Sequence, residues 1–134
     1  MRIAPLLLLS LCAVLTLNAC DSNSRRIEGT YRLRRISTHT GVSPSNASYF
    51  LWDTARPENE VGWSGAVMRI GWDARYILVL RAAPPTPYGA AAGWMLIDVE
   101  HGTPSAIMTA EQIRQRPDIA RIATYRADSA WTRL

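Results

Sequence analysis

The segment Tyr76 to Arg81 limits the possible folds of this chain more than any other stretch. Its sequence YILVLR begins with five successive apolar residues, so both faces of a strand formed here need cover. Such a strand lies in the interior of a sheet and not at its edge. Another strand-like run, 66–70, precedes it, and the five residues between the two runs begin with Gly71. The spacing predicts a β-hairpin that places 76–81 at the centre of an antiparallel sheet.

Three further segments have the composition of strands, namely 29–37, 48–53 and 94–100. In the first of them, Tyr31 and Leu33 share one face. Arg32 and Arg34 share the other face, so this strand is predicted to have an apolar side and a charged side. The last of these segments, 94–100, also alternates. Met95, Ile97 and Val99 line one of its two faces.

The pattern changes after the turn residues 101–105, where a helix is predicted. Thr109 and Gln112 have the spacing of a capping box, and Pro117 should end the helix near Arg116. A second short helix over 119–126 fits the spacing of its apolar residues. The predicted fold class is α+β, with an antiparallel sheet of four or five strands and a C-terminal helix packed on one face. Residues 28–134 would form this single globular domain.

The first twenty residues have a different character. Arg2 precedes a largely apolar run, 3–17, of 15 residues. A membrane-spanning helix needs about 20 apolar residues, so the run is too short to cross a bilayer comfortably. A short apolar core after one positive charge is typical of an export signal. Two alternatives stay open here, an ordinary signal peptide and a buried N-terminal helix.

The run ends in Leu17-Asn18-Ala19-Cys20, and polar residues follow at once. This motif resembles the lipobox of bacterial lipoproteins. The resemblance implies a signal peptide over 1–19, cleavage after Ala19 and attachment of diacylglycerol to Cys20. Residues 20–27 would then be the lipidated cysteine and a short polar tether. Asp21 resembles an inner-membrane retention signal, so the expected location is the periplasmic side of a bacterial membrane, with the inner membrane favoured.

Export and cleavage would leave a chain of simple composition. Cys12 would leave with the signal and Cys20 would carry the lipid, so no disulfide is expected. Loss of Arg2 lowers the net charge from +4 to +3. Nucleic acid is not an expected partner because export separates the domain from it. The expected partners are the membrane, through the lipid, and a protein in the periplasm.

The chain from Arg69 onward resembles a group of small bacterial lipoproteins with no assigned activity. The resemblance is carried by two turns, two strands and one helix start, which here are Gly71-Trp72-Asp73, 76–80, 94–98, Gly102-Thr103-Pro104 and 109–113. It implies a shared fold and assigns no function.

Residues suited to catalysis are few. His39 and His101 are the only imidazoles, and neither has a second ligand at metal spacing. Asp98 or Glu100 would be the carboxylate partner of His101, although a turn residue at that position is the simpler interpretation. Paired carboxylates for glycoside chemistry would come from a polar segment that also has tryptophans beside it, namely Asp53, Glu58 and Glu60 with Trp52 and Trp63. No catalytic residue, metal or cofactor is predicted.

Two features favour binding. Five arginines follow the expected anchor, namely Arg25, Arg26, Arg32, Arg34 and Arg35. They predict either contact with anionic headgroups or an ordinary solvated strand face. The loop 83–93 is long for a hairpin connection, and prolines stiffen its first half. The loop predicts either a rigid contact surface for a protein or a tolerated insertion. The predicted partner surface comprises Pro84, Pro85, Pro87, Tyr88, Arg32 and Arg34.

Together these features predict a lipid-anchored envelope protein that binds another protein without catalysis. Neutralising an exported toxin is one specific form of that role. The alternative is a small hydrolase or binding module that acts on the cell wall or on carbohydrate, with the carboxylates of 53–60 at its site.

Overall fold

The computed structural model describes residues 22–37, 47–56, 66–82 and 92–134. Within these ranges the elements, in chain order, are β1 (Ser24–Glu28), β2 (Tyr31–Ser37), β3 (Ala47–Asp53), β4 (Val67–Trp72), β5 (Tyr76–Arg81), β6 (Gly93–Asp98), α1 (Ala110–Arg114), α2 (Pro117–Ala120), β7 (Thr124–Arg126) and α3 (Ala127–Arg133). The predicted strands correspond to β2 to β6, with ends that differ by one or two residues.

The strands form two antiparallel sheets. The first sheet has the order β1-β2-β3, and the second has the order β6-β5-β4-β7. The α+β class is thus confirmed. In detail, the seven described strands divide between two sheets, whereas the sequence predicts one sheet of four or five strands. The predicted strands themselves divide, with β2 and β3 in the first sheet and β4, β5 and β6 in the second. Strands β1 and β7, which were not predicted, each extend one sheet.

The main core lies between the two sheets. Apolar side chains of the first sheet pack against one face of the second sheet. The first sheet contributes Ile27, Tyr31, Leu33 and Leu51, and the residues from the second sheet include Ile70, Ile77, Val79, Met95 and Ile97. Helix α3 joins the same core through Ala127, Ala130 and Trp131. The predicted alternation of β2 is confirmed, because Tyr31 and Leu33 are both buried in this core.

A second core lies on the opposite face of the second sheet. Leu78 of β5 and Leu96 of β6 pack there against the short helices, through Ile113, Ile119 and Ile122. The domain therefore has three layers, in the order first sheet, second sheet, then α1 with α2. Strand β5 is covered on both faces, as its continuous apolar sequence predicts.

The N-terminal boundary of the domain needs a correction. Residues 24–27 of the predicted tether belong to β1, which pairs with β2 through Ser24↔Arg34, Arg25↔Leu33 and Arg26↔Arg32. Every buried apolar residue of the described cores lies between Ile27 and Trp131. A chain that starts at Asp21 therefore retains all of the described packing. None of the described helices is long and apolar enough to cross a membrane.

The C-terminal part confirms one local prediction and corrects another. Thr109 caps α1 with the full capping box: its Oγ1 accepts from the Gln112 backbone N–H at 3.2 Å, and the Gln112 side chain accepts from the Thr109 N–H at 2.7 Å. Of the predicted second helix, 119–126, residues 119–120 belong to α2 and residues 124–126 form β7, while α3 begins only at Ala127. Gly71 allows this arrangement, since β7 pairs with β4 at Gly71↔Thr124.

Candidate functional site

The outward side of the first sheet carries the most distinctive group of surface residues. We call it the arginine face, and it consists of Ser24, Arg26, Arg32, Arg34, Ile36, Ser48, Phe50 and Trp52. Arg32 and Arg34 alternate with buried residues along β2, and Trp52 does so in β3. The strand register places the other members on the same side of the sheet, so these side chains point away from the core. No carboxylate is among them, and no described element covers them.

The register arranges the arginine face in rows across the three strands. Arg26 lies opposite Arg32, which lies opposite Trp52. In the next row Arg34 lies opposite Phe50, and its guanidinium carbon is 5.1 Å from the centre of the Trp52 ring. Like charges directly opposite each other on neighbouring strands are destabilising. The sheet thus holds Arg26 beside Arg32 at some cost to its own stability.

None of the ion pairs among the described residues involves an arginine of the first sheet. The first sheet has five arginines, Arg25, Arg26, Arg32, Arg34 and Arg35. Arg32 instead donates to the Ser24 hydroxyl at 2.7 Å. Ion pairs within 4 Å are made elsewhere, by Arg75, Arg114, Arg116, Arg121 and Arg126. Within the described part of the chain, the positive charge of the first sheet is therefore not neutralised by an ion pair within 4 Å.

Two of the five arginines point to the inner side of the first sheet. The guanidinium carbons of Arg25 and Arg35 lie 4.8 and 4.9 Å from the centre of the Trp131 ring. Tyr49 contacts the same ring at 5.9 Å between centroids. These contacts fix α3 against the end of the first sheet, so Arg25 and Arg35 are anchored by packing as well as charged. The sequence grouped all five arginines as one patch, but only three share the outward face.

An open apolar groove lies on the opposite side of the domain. It has a volume of about 180 Å³ and is bounded by α1, α2 and the second sheet. Its lining residues are Leu78, Trp94, Ala110, Ile113, Arg114, Ile119, Ala120, Ile122 and Thr124. No carboxylate, imidazole or thiol is among them. The groove can therefore receive apolar side chains. Thr124 contributes a hydroxyl to the lining, but no general base is among the lining residues.

The groove adjoins the base of the predicted proline loop. Strands β5 and β6 stay paired as far as Arg81↔Gly93, and Trp94 both follows that pair and lines the groove. The Trp94 backbone also pairs with Met108, which holds this end of β6 in place. Residues Pro84, Pro85, Pro87 and Tyr88 themselves lie outside the described residues. Arg32 and Arg34, the rest of the predicted partner surface, lie together on the arginine face.

His101 and Asp98 are brought together at an exposed turn. The His101 Nδ1 lies 3.1 Å from Asp98 Oδ1, and 68% of the histidine side chain is exposed. Desolvation acts to raise the pKa of Asp98, but hydrogen bonds from the side chain and backbone of His101, with one from the Glu100 N–H, lower it overall. The same carboxylate accepts these backbone donors as part of the turn. The pair stabilises the exposed turn after β6.

The predicted carboxylate cluster is not assembled in the described part of the chain. Asp53 is 4% exposed at the end of β3, although its sequence position suggested a solvated loop. It accepts a hydrogen bond from the Thr30 hydroxyl at 2.6 Å and another from the Ala55 N–H at 3.0 Å. These bonds fix the turn after β3. Four other candidates, His39, Glu58, Glu60 and Trp63, lie outside the described residues.

The sequence did not predict that Phe50 and Trp52 join the arginine face, and it did not predict the groove. Phe50 and Trp52 belong to the arginine face only because β3 pairs with β2 in this register. The sequence of β3 offers no alternating signal, because residues 49–52 are all apolar. The groove is made by side chains from five elements, and no local pattern indicates such a combination.

The described residues contain no group of three or more His, Cys, Asp or Glu side chains that could hold a metal ion. Comparisons of the chain with protein-family models, with curated proteins and with solved structures found no match.

Proposed function

We propose that this chain is a lipid-anchored protein of the bacterial envelope whose domain binds another protein without catalysing a reaction. A specific form of this binding role is the neutralisation of an exported toxin. The lipid is attached at Cys20, and the partner is bound on the side of the domain that carries the α1–α2 groove. The observation that carries the proposal is this groove, together with its position at the base of the proline loop.

The composition of the groove supports a contact with protein. Trp94 and four aliphatic side chains line it, and the helix residues Ala110 and Ala120 at its margin are exposed and small. Apolar pockets rimmed by polar residues commonly receive the anchoring side chains of a partner. Arg114 at the margin forms an ion pair with Glu111, so both signs of charge border the groove. The lining offers a small molecule few polar groups to fix its orientation.

The proline loop supports the same side of the domain. Three prolines within 84–87 reduce the conformational freedom that docking would otherwise remove. Both ends of the loop leave from strands whose register is fixed up to Arg81↔Gly93. The proposal therefore places the loop and the groove in one contact surface, with Tyr88 as an expected anchor.

The anchor is tested by Cys20→Ser in the native host. The substitution removes the thiol that would accept the lipid, so acyl labelling and partitioning into detergent should both be lost. Ser22→Cys in the Cys20→Ser background is the matched control, because it restores a thiol outside the motif. Labelling that persists without Cys20 would refute the lipid anchor.

Protein binding is tested by photo-crosslinking in the same host. A photoreactive side chain at Ala120, in the groove, should give one discrete adduct with a second protein. The same side chain at Ser129, which is exposed on α3 and away from the groove, is the control. Equal adducts from both positions, or none from Ala120 in a folded and exported chain, would contradict the proposed contact.

A further inference from the structure

We propose that the arginine face is a docking surface for anionic phospholipid headgroups, and that it holds the domain against the bilayer with the first sheet facing the membrane. The guanidinium groups of Arg26, Arg32 and Arg34 would pair with lipid phosphates. Phe50 and Trp52 would lie at the level of the headgroups. This inference rests on the lipid anchor of the proposed function, because the anchor determines which surface is nearest the membrane.

The charge of the first sheet matches such a surface. Its three outward arginines have no carboxylate partner among the described residues, and arginine can bind a phosphate through two parallel hydrogen bonds. Each basic residue near an anionic leaflet strengthens binding about fivefold. Three such residues favour the anionic leaflet about 100-fold, which gives weak but measurable binding of a free chain and suffices to orient one that is already tethered.

The anchor brings this sheet, and no other element, close to the membrane. Strand β1 begins at Ser24, four residues after Cys20. Four extended residues span at most about 14 Å, so β1 cannot move far from the bilayer. A flexible tether up to residue 27 would let the domain move further from the bilayer. Because β1 begins at Ser24, the tether is limited to the residues before it.

The layer order and the aromatic residues point in the same direction. The arginine face is the outermost surface of one layer, and the groove lies on the far side of the second sheet. Trp52 and Phe50 are partly exposed beside the arginines, and Ile36 is 38% exposed in the next row. Aromatic side chains are common where a protein meets the membrane–water interface. A domain docked in this way presents its groove to the periplasm.

The test uses the chain from Asp21, which retains the described packing and lacks Cys20, so that its result does not depend on lipidation. Binding is measured by sedimentation with phosphatidylcholine vesicles that contain or lack phosphatidylglycerol. We expect binding only to the anionic vesicles, with a loss as salt rises. Arg32→Gln with Arg34→Gln should weaken it about 25-fold, because two basic contacts are removed.

Two further variants keep the test sharp. Arg26→Gln with Arg34→Gln should weaken binding to a similar extent without removing the Arg32–Ser24 hydrogen bond. Arg121→Gln with Arg126→Gln removes the same charge from exposed positions of the other layers and should change binding less than about threefold. Thermal unfolding verifies that each variant is folded.

Three results would overturn the proposal. The first is equal binding to vesicles with and without phosphatidylglycerol, and the second is an equal loss of binding in the arginine-face variants and the control variant. The third is that the chain binds soluble polyglutamate, with the same dependence on Arg32 and Arg34, and does not bind vesicles. The last result would assign the face to an acidic protein. The lipid anchor is tested separately, by acyl labelling of the Cys20→Ser chain. Failure of the docking surface and failure of the anchor can therefore be distinguished.

Discussion

Gly71 shows how a single residue sets the distance between two elements. It lies in β4 opposite Thr124 of β7, and a Cβ placed there would meet the carbonyl oxygen of Ala123. The same Cβ would lie 3.0 Å from Ile122 Cγ2 and from Thr124 Cγ2. A backbone carbonyl cannot swing aside as a flexible side chain can, so β7 would have to shift. Ile122 and Thr124 also line the groove, which ties this glycine to the proposed contact surface.

We therefore expect Gly71→Ala to lower the free energy of unfolding by about 1–3 kcal/mol, the usual range for overpacking. Urea unfolding measures the change. Gly102→Asn is the control: Gly102 has φ +67, which asparagine tolerates, and a Cβ there makes only an ordinary contact at 3.5 Å with the Tyr31 hydroxyl. A Gly71→Ala loss no larger than that of the control would contradict the close approach.

Asp98 predicts how the turn after β6 responds to pH. Its pKa is lowered despite desolvation, because His101 and the Glu100 N–H donate hydrogen bonds to the ionised carboxylate. A lowered pKa in the folded state means that the stabilisation is present above the unfolded value, near 3.8, and is lost as pH falls through the folded value. Asp98→Asn should reduce stability near neutral pH, and the difference from the parent chain should shrink below about pH 4. Urea unfolding across this range checks it, and a constant difference at every pH would contradict it.

Residue-level prediction worked where the cause is local. Thr109 and Gln112 satisfy each other's backbone groups within one helical turn, so their spacing alone predicts the capping box. Asp53 is the opposite case. Its burial depends on Thr30, which is distant in sequence but adjacent in the first sheet, and no local pattern indicates that contact.

At the scale of elements, the strands with a clear apolar alternation were predictable, and those without it were not. Strand β1 has the sequence SRRIE, in which only Ile27 is buried, so its composition is typical of a polar linker. Pairing with β2 makes it a strand. Helix α3 begins after Arg126, which provides no side-chain cap, and it is held mainly by Trp131 and two buried alanines. Both elements depend on partners far along the chain.

The proline loop yields a prediction about an element pair. Replacing residues 82–92 with Asn-Gly joins β5 to β6 by a two-residue turn, and the pairing up to Arg81↔Gly93 should persist. Closing a shorter loop is entropically easier, so the unfolding temperature should not fall. The adduct formed from Ala120 should decrease, with partner affinity at least about tenfold weaker, or 1.4 kcal/mol.

Tyr88→Ala should reproduce much of this loss without changing the loop length. Unchanged affinity in a folded chain with the shortened loop would show that the loop is a tolerated insertion. The groove alone would then be the contact surface.

At the scale of the whole molecule, the three layers give the domain two chemically distinct sides. One side is the arginine face, basic and near Cys20 in the chain, and the other is the apolar groove beyond the second sheet. The fold class could be predicted from strand patterns, but this two-sidedness could not. It depends on which face of each sheet meets the other, and that is decided by tertiary packing of residues such as Leu33 against the second sheet.

The most direct test of the account is the orientation of the lipidated chain on anionic vesicles. A fluorophore is attached to a single cysteine at Ser48, on the arginine face, or at Ala120, in the groove. Quenchers are carried by lipids near the headgroups. We predict strong quenching at Ser48 and little at Ala120. Arg32→Gln with Arg34→Gln should reduce the difference in quenching between the two positions. Equal quenching at the two positions, or stronger quenching at Ala120, would contradict a domain that docks through its first sheet and presents its groove to a partner.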